Sequence, residues 1–486
     1  MAFIDGTVVN VALPALQTNL NASAADVQWV VEAYSLLLSA FLLVGGSLGD
    51  HFGRRRVFLI GVTLFAFASA ACGLAQDIRQ LIFARGFQGF GAALLIPGSL
   101  AIISNSFSEK ERGRAIGTWS GLSAMTTGLG PIIGGWLIEH VSWRAVFFIN
   151  LPLALLVILL SLRHVSESSD HRAARIDLLG AIIAVGGLGA LVYALLESSR
   201  PGFDNRLVVV LLIGALALLL LFLFVEARRS SPMLPLTLFR SSAFAGTNLL
   251  TFFLYAALGG TLFFLPLNLI QVQHYSATAA GAALLPFILI ISSVSRWSGG
   301  LVERYGARLP LIVGPTIAAF GYLLFILPGV GGSYWIHFFP PIVVLGLGMA
   351  ITVAPLTTTV MNSVPQAQAG VASGVNNAVA RTAGLIAIAV LGIVMLHAFN
   401  VGLHHRLIQS NLPPAVLESL QSQRTKLAAL ALPVTLDPVT TELIRRAIDE
   451  SFVFGFRLVM AIGAGLAGVS LVSALIFIHN SPGQRR

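Results

Sequence analysis

The amino-acid sequence predicts an all-α polytopic membrane protein made of two six-helix bundles with a two-helix insertion between them. Three observations carry this expectation. Hydrophobic residues make up 56% of the 486-residue chain and charged residues only 10%, where a soluble protein carries about a quarter. Apolar windows of about 20 residues, the length a helix needs to cross a bilayer, recur from end to end. The third is a charged loop, Gly46-Ser-Leu-Gly-Asp50-His-Phe-Gly53-Arg54-Arg55-Arg56, that returns in the second half as Gly299-Gly-Leu301-Val-Glu303-Arg304-Tyr305-Gly306-Ala-Arg308. Gly46, Leu48, Asp50, Gly53 and Arg55 meet Gly299, Leu301, Glu303, Gly306 and Arg308 position for position. Such a parallel repeat implies two bundles related by an axis along the membrane normal, with a cavity between them.

In order, the apolar segments fall near 1–16, 27–48, 57–76, 81–105, 113–139 and 144–163, then 176–197 and 206–226, then 243–271, 277–301, 309–328, 335–361, 368–397 and 452–478. They amount to about fourteen spans. Residues 1–163 are expected to form the N-terminal bundle, 176–226 an inserted transmembrane hairpin, and 243–478 the C-terminal bundle. The first segment reaches only to about Ala15, so either the first helix is short or native residues precede Met1. It lacks the basic region and cleavage site of a signal peptide.

Charge in the loops orients the chain. Loops on the side of the 46–56 motif hold Arg54, Arg55, Arg56, Lys110, Arg112, Arg114, Arg163, Arg172, Arg175, Arg228, Arg229, Arg240, Arg304 and Arg308, with Arg485 and Arg486 in the tail. Short loops on the other side hold Arg79, Arg144, Arg200 and Arg206. The first side is therefore expected to be cytoplasmic, both termini with it, in the inner (plasma) membrane. Segment 398–451 is long enough to be exempt from the charge rule. With Pro414, Pro433, Pro438 and an amphipathic run over 440–448, it is expected to be a partly helical external cap. The net charge of +9 thus reflects membrane orientation, not nucleic-acid binding. A lone cysteine, Cys72, excludes an intramolecular disulfide and reads as a packing residue.

Ionisable groups inside apolar segments are costly, by about 2.5–3.5 kcal/mol on insertion scales, and commonly face a cavity or a partner. Asp5 and Glu32 are the two acids placed this way in the first two spans. A carboxyl so placed can load and release a proton; the blander readings are a helix-start acid for Asp5 and an interfacial acid, one turn from Trp29, for Glu32. Arg85, with Gln88 on the same helix face, could pair with either acid and be released when that acid is protonated; the alternative is a purely structural ion pair. Gly117, Gly130, Pro131, Gly134 and Gly135 let helices approach closely and bend, making a tight interface that resists leak. Asn10, Tyr34, Gln88, Asn268, Asn376 and Arg381 are polar positions expected at the substrate cavity, with Asn248, Gln271 and Asn377 as further polar positions. Phe252, Phe253, Tyr255, Phe263 and Phe264 either pack or stack on hydrophobic compounds, and Trp29, Trp143 and Trp335 read as interfacial anchors. No phosphate-binding G-x-x-x-x-G-K-[ST] loop and no metal-ligand spacing is present, and His404-His405 is too little for a site. An enzyme is not expected.

These residues resemble the major facilitator superfamily and, within it, the fourteen-helix drug:proton antiporters. The 46–56 loop is similar to the family's motif A, and Leu81-Ile-Phe-Ala-Arg85-Gly-Phe-Gln88-Gly89-Phe-Gly91-Ala92-Ala93 to motif B. Gly117, Gly130-Pro131 and Gly134-Gly135 resemble the antiporter motif C, with Thr126 where that motif usually has glycine. Ile4-Asp5-Gly6-Thr7-Val8-Val9-Asn10-Val11-Ala12-Leu13-Pro14 is similar to the first-helix motif of the fourteen-helix group. The resemblance implies proton-coupled efflux of amphipathic, often cationic, small molecules by alternating access, or export of one dedicated metabolite or natural product. It favours Asp5 as the proton-responsive acid and Arg85 as its sensor. It also implies a gating latch made of Gly46, Asp50, Gly53, Arg54 and Arg55, with Glu303 and Arg308 in the repeat, that reaches the opposite bundle. The proton gradient replaces any cofactor, and the expected partners are a small-molecule substrate, protons and the lipid bilayer, with a monomer as the unit.

Overall fold

Every stretch of regular structure among the described residues is helical. In the computed structural model the described residues are 1–106, 109–169, 177–197, 205–229, 232, 234–364, 369–407, 414–430, 432 and 437–478; at some helical positions, including Asp50, Glu303 and 109–118, only the backbone is described. Arg172, Arg175, Arg200, Pro433, Arg485 and Arg486 fall outside these residues.

Six spans come first: α1 (Ala2–Asn19), α2 (Ala24–Phe52), α3 (Arg54–Leu74), α4 (Ile78–Ser106), α5 (Glu109–His140) and α6 (Ala145–Phe148 with Asn150–His164). The inserted pair is α7 (Leu178–Glu197) and α8 (Asn205–Arg228). The last six are α9 (Ser242–Leu267, ending in the π turn Asn268–Val272), α10 (Ala277–Ala283 with Leu285–Gly299), α11 (Arg308–Leu324), α12 (Phe339–Asn362), α13 (Ala369–Leu407) and α14 (Pro438–Phe477). Among the described residues 11 helices are long and apolar enough to cross a membrane; α1, α5 and α11 complete the expected fourteen. Polar residues set the helix starts. Ser23 and Asp26 form a reciprocal capping box at α2, and Asp437 caps α14 just before Pro438.

The sequence repeat is also a backbone repeat. Gly53 ends α2 at φ 106° and Gly306 ends the turn after α10 at φ 77°, a left-handed conformation that favours glycine. Arg55 at the start of α3 donates to the Val165 carbonyl, just past α6, at 2.9 Å. Its counterpart Arg308 at the start of α11 donates to the Leu475 carbonyl of α14 at 3.2 Å. Deeper in, α3 crosses α4 at Gly61 and Gly91, and α11 crosses α12 at Gly314 and Gly348. A Cβ on Gly61 would stand 3.0 Å from the Gly91 carbonyl oxygen, and one on Gly314 would stand 2.9 Å from that of Gly348. Both bundles are thus clamped by the same glycine contact.

Two expectations need correction. Segment 398–451 is not a separate cap throughout, because α13 runs for 39 residues and α14 for 40. At about 1.5 Å per residue each is about 60 Å long, twice the hydrocarbon thickness. Residues 398–407 and 438–451 continue these helices, and the described residues between them form two short pieces, Pro414–Ser422 and Arg424–Ala429. Trp143 is not an interfacial anchor: it is 3% exposed, edge-on to Phe147 at 6.2 Å. Trp335, at 68% exposed, does stand where an anchor would. Phe263 and Phe264 are buried in the core, so that aromatic helix mainly packs.

A Cβ at Gly91 would lie 2.7 Å from the Phe65 backbone nitrogen, whereas one at Gly214 meets nothing within 4 Å. Overpacking of this kind costs about 1–3 kcal/mol or more. Gly91→Leu is therefore expected to lower the melting temperature of the detergent-purified protein sharply, and Gly214→Leu to leave it unchanged.

Candidate functional site

Five of the first six helices meet at one fully buried carboxylate. Asp5, in the first turn of α1, and Arg85, about a quarter of the way along α4, are 0% and 1% exposed. Arg85 Nη1 donates to Asp5 Oδ2 at 2.6 Å and to Gln88 Oε1 at 2.7 Å. Its Nε donates to the Val30 carbonyl of α2 at 3.0 Å. The other carboxylate oxygen, Asp5 Oδ1, accepts from Gln88 Nε2 at 2.8 Å and from Asn150 Nδ2 of α6 at 3.1 Å. Ser69 of α3 closes the network: its hydroxyl accepts from Gln88 and Asn150 at 3.2 and 3.0 Å and donates to the Phe147 carbonyl at 2.8 Å. A charge pair this deep is tolerable because both carboxylate oxygens and two of the three guanidinium nitrogens are hydrogen-bonded.

Tyr34 of α2 packs against this cluster. The Arg85 guanidinium lies 4.3 Å from the centre of its ring, a cation–π contact. Arg381 lies on α13, a helix of the second bundle that packs against α2. Arg381 is half-buried, and among the described residues no carboxylate forms an ion pair with it. Glu32, one turn from Gln28, is 0% exposed and neither of its oxygens has a hydrogen-bond partner. That burial removes the interfacial reading of Glu32 and leaves it separate from the Asp5 network.

Other expected cavity residues are placed differently. Asn10 lies half-buried on α1, more than a turn from Asp5. Asn268 is buried in the π turn, where Oδ1 accepts from Gln273 at 3.1 Å. Asn376 donates to Asn248 and Thr251 of α9 at 3.1 and 2.7 Å. Asn376 thus ties α13 to α9 and Asn268 bonds within its own turn; neither is a hydrogen-bond partner in the Asp5 cluster. Asn150 and Ser69, which are, were not among the residues expected from the sequence. A single asparagine interrupting the apolar run of α6 is the signal that marks Asn150.

In the 46–56 loop, Arg55 and Arg56 are held within the first bundle. Glu167, past α6, accepts the Arg55 and Arg56 backbone amides at 3.0 and 3.1 Å, capping α3 where a helix favours negative charge. A side chain on Gly53 would collide with that carboxylate at 2.8 Å. Gly46 gives α2 room beside Pro97. The side chains of Asp50 and Glu303, which the latch needs, lie outside the described residues.

α5 forms the interface between the bundles. Gly130 and Gly134 face α1, where a Cβ would collide with Thr7 and Val8. Gly135 faces α10, where a Cβ would stand 2.5 Å from the Ala277 backbone. The Pro131 carbonyl in turn leaves no room for a Cβ on Gly281. Gly117 lies on α5 where only the backbone is described. Several hydrogen bonds join the bundles at the end away from the arginine-rich loops. Glu139 of α5 accepts the Thr278 amide at 2.7 Å, Gln271 donates to Gln17 at 2.7 Å, Lys426 to Asn21 at 2.5 Å, and Gln28 to the Ile388 carbonyl at 3.3 Å. That end of the molecule is closed.

Removing one partner of a buried ion pair costs about 3–5 kcal/mol, because a charge is left unmatched. Arg85→Met is expected to lower the melting temperature strongly, and adding Asp5→Asn to recover much of the loss. Purely additive losses in thermal unfolding of the single and double variants would contradict the pairing.

Comparison with known proteins gives these features a family. The Major Facilitator Superfamily model matches residues 1–388. The chain is 39% identical over 401 residues to the Multidrug resistance protein Stp of Mycobacterium tuberculosis (strain CDC 1551 / Oshkosh), covering 81% of this chain and 73% of that protein. It is 32% identical over 495 residues to the Tetracenomycin C resistance and export protein of Streptomyces glaucescens, covering 100% of this chain and 90% of the relative. Among solved structures, a bacterial homologue of the human lysosomal transporter Spinster aligns with TM-score 0.70 at 18% identity, over 99% of this chain and 96% of that one. With the repeated glycine turns, the clamped bundles and the motif-bearing helices in place, this chain belongs to the major facilitator superfamily.

Proposed function

We propose that the protein is a proton-driven efflux antiporter for amphipathic, cationic small molecules, with Asp5 as the proton carrier and Arg85 as its sensor. The observation that carries this reading is the Asp5–Arg85 pair buried against Tyr34, with Arg381 on the helix of the other bundle that packs against α2. While Asp5 is ionised it neutralises Arg85, and that cation is masked. A proton on Asp5 unmasks Arg85, so two guanidinium groups then act on each other across the bundle interface. That repulsion converts proton binding into a push between the bundles. Glu32, unpartnered on the same helix as Tyr34, is the group left to meet a cationic substrate.

The positive-inside rule supports a cytoplasmic position for the arginine-rich end. Closure at the opposite end through α5, α10 and the Glu139, Gln17 and Lys426 contacts then describes a cytoplasm-facing state. In that state the 46–56 latch is expected to be disengaged from the second bundle, consistent with its attachment to Glu167. A dedicated natural-product exporter is the second reading, supported by the relative named for tetracenomycin C resistance and export; the relative named for multidrug resistance supports the first.

Transport into inverted membrane vesicles tests the mechanism. Uptake of a cationic dye such as ethidium should collapse with an uncoupler. Asp5→Asn should reduce it at least about tenfold, a loss read as transition energy, with the protein still folded. Uptake indifferent to the proton gradient, or unchanged in Asp5→Asn, would rule the mechanism out. Uptake confined to one compound in a chemically varied panel would favour the dedicated exporter.

A further inference from the structure

The inserted helices carry a second buried acid cluster, at the arginine-rich end and apart from Asp5. Asp177 caps α7, its Oδ1 accepting the Gly180 amide at 2.8 Å and lying 3.6 Å from Arg229 Nη1. Glu226, in the last turn of α8, accepts the Leu234 amide through Oε2 at 2.8 Å. The two residues are only 5% and 2% exposed. Among the described residues their remaining oxygens, Asp177 Oδ2 and Glu226 Oε1, have no donor, and both oxygens crowd the same point beside Gly180. Gly180 makes that approach possible: a Cβ there would stand 2.9 Å from Asp177 Oδ2 and collide with Glu226 Oε1. Two carboxylate oxygens cannot hydrogen-bond without a proton, and two like charges in contact away from water do not both persist.

We propose that Asp177 and Glu226 hold one proton between them, and that this proton anchors the insertion to the linker entering the second bundle. The helix ends decide where it resides. Asp177 stands at the N-terminus of α7, which favours a negative charge, and has Arg229 beside it; Glu226 stands at the C-terminus of α8, which disfavours one. Glu226 is therefore the acid, donating from Oε1 to Asp177 Oδ2 while Oε2 accepts the Leu234 amide. Beside Asp177, Arg229 is the charged group among the described residues that acts on Glu226. Leu234 packs onto the cluster of Leu238, Phe244, Val360, Ala372 and Val375 at the base of the second bundle. Loss of the proton sets two charges back to back and loosens the linker. Because the folded chain holds a proton that the unfolded chain releases at neutral pH, the pair stabilises the protein less as pH rises.

Infrared difference spectroscopy on the full-length protein in lipid nanodiscs tests this directly. Wild type minus Glu226→Gln, at neutral pH, should show a protonated-carboxyl C=O band that shifts in heavy water. Glu226→Gln, whose amide can donate in the same place, should keep the melting temperature at neutral pH and decline less than wild type at alkaline pH. A difference spectrum without that band would overturn the proposal. So would a wild-type melting temperature that falls with a chelator and returns with magnesium alone, since a metal ion would then bridge the carboxylates. Neither result depends on whether Asp5 drives export.

Discussion

The buried ion pair between Asp5 and Arg85 sets the conditions that the surrounding helices must meet. A carboxylate and a guanidinium so far from water are tolerable only with near-complete hydrogen bonding. Helices α2, α3, α4 and α6 each supply a group at the right depth: the Val30 carbonyl, Ser69, Gln88 and Asn150. Register along these helices is fixed by that network more tightly than apolar packing could fix it. The same network makes the site responsive, because changing the charge on Asp5 alters what every donor around it is matched to.

Packing divides the molecule into stiff parts and one sliding part. Within each bundle, glycine crossings at Gly61–Gly91 and Gly314–Gly348 bring backbones into contact, and nothing there can shift without opening a void. Between the bundles, α5 presents Gly130 and Gly134 to α1 and Pro131 and Gly135 to α10, a smooth surface held by a few polar ties at one end. An interface of small residues with few hydrogen bonds is the element on which a proton-dependent push at Tyr34 can act. The insertion packs outside this hinge and is joined to the second bundle through Glu226 and Leu234.

Much of this was legible in the sequence because membranes punish ionisable residues. Asp5, Arg85 and the loop arginines stood out against an apolar background, and the 46–56 repeat predicted a symmetry that the positive-φ glycines Gly53 and Gly306 display. Uncharged polar residues were harder to place. Asn376 bonds across to α9 and Asn268 bonds within its own turn, since an amide in a span is as useful for binding backbone and helices together as for binding substrate. Asn150 and Ser69 were missed for the converse reason: each is one small polar group in an apolar helix, and only the fold brings it to Asp5. Helix ends escaped too. Hydropathy falls where α13 and α14 leave the bilayer, but the backbone continues because no residue there breaks it.

The central claim is that proton occupancy of Asp5 sets the relation between the bundles. Phe52 and Tyr305, exposed at the arginine-rich end on the two repeated loops, allow that relation to be measured. Spin labels at Phe52→Cys and Tyr305→Cys, in a Cys72→Ser background, report the distance between the bundles by pulsed electron paramagnetic resonance. The account predicts a distance distribution that changes with pH and is fixed at all pH values once Asp5→Asn is added. An identical pH response with and without Asp5→Asn would contradict it.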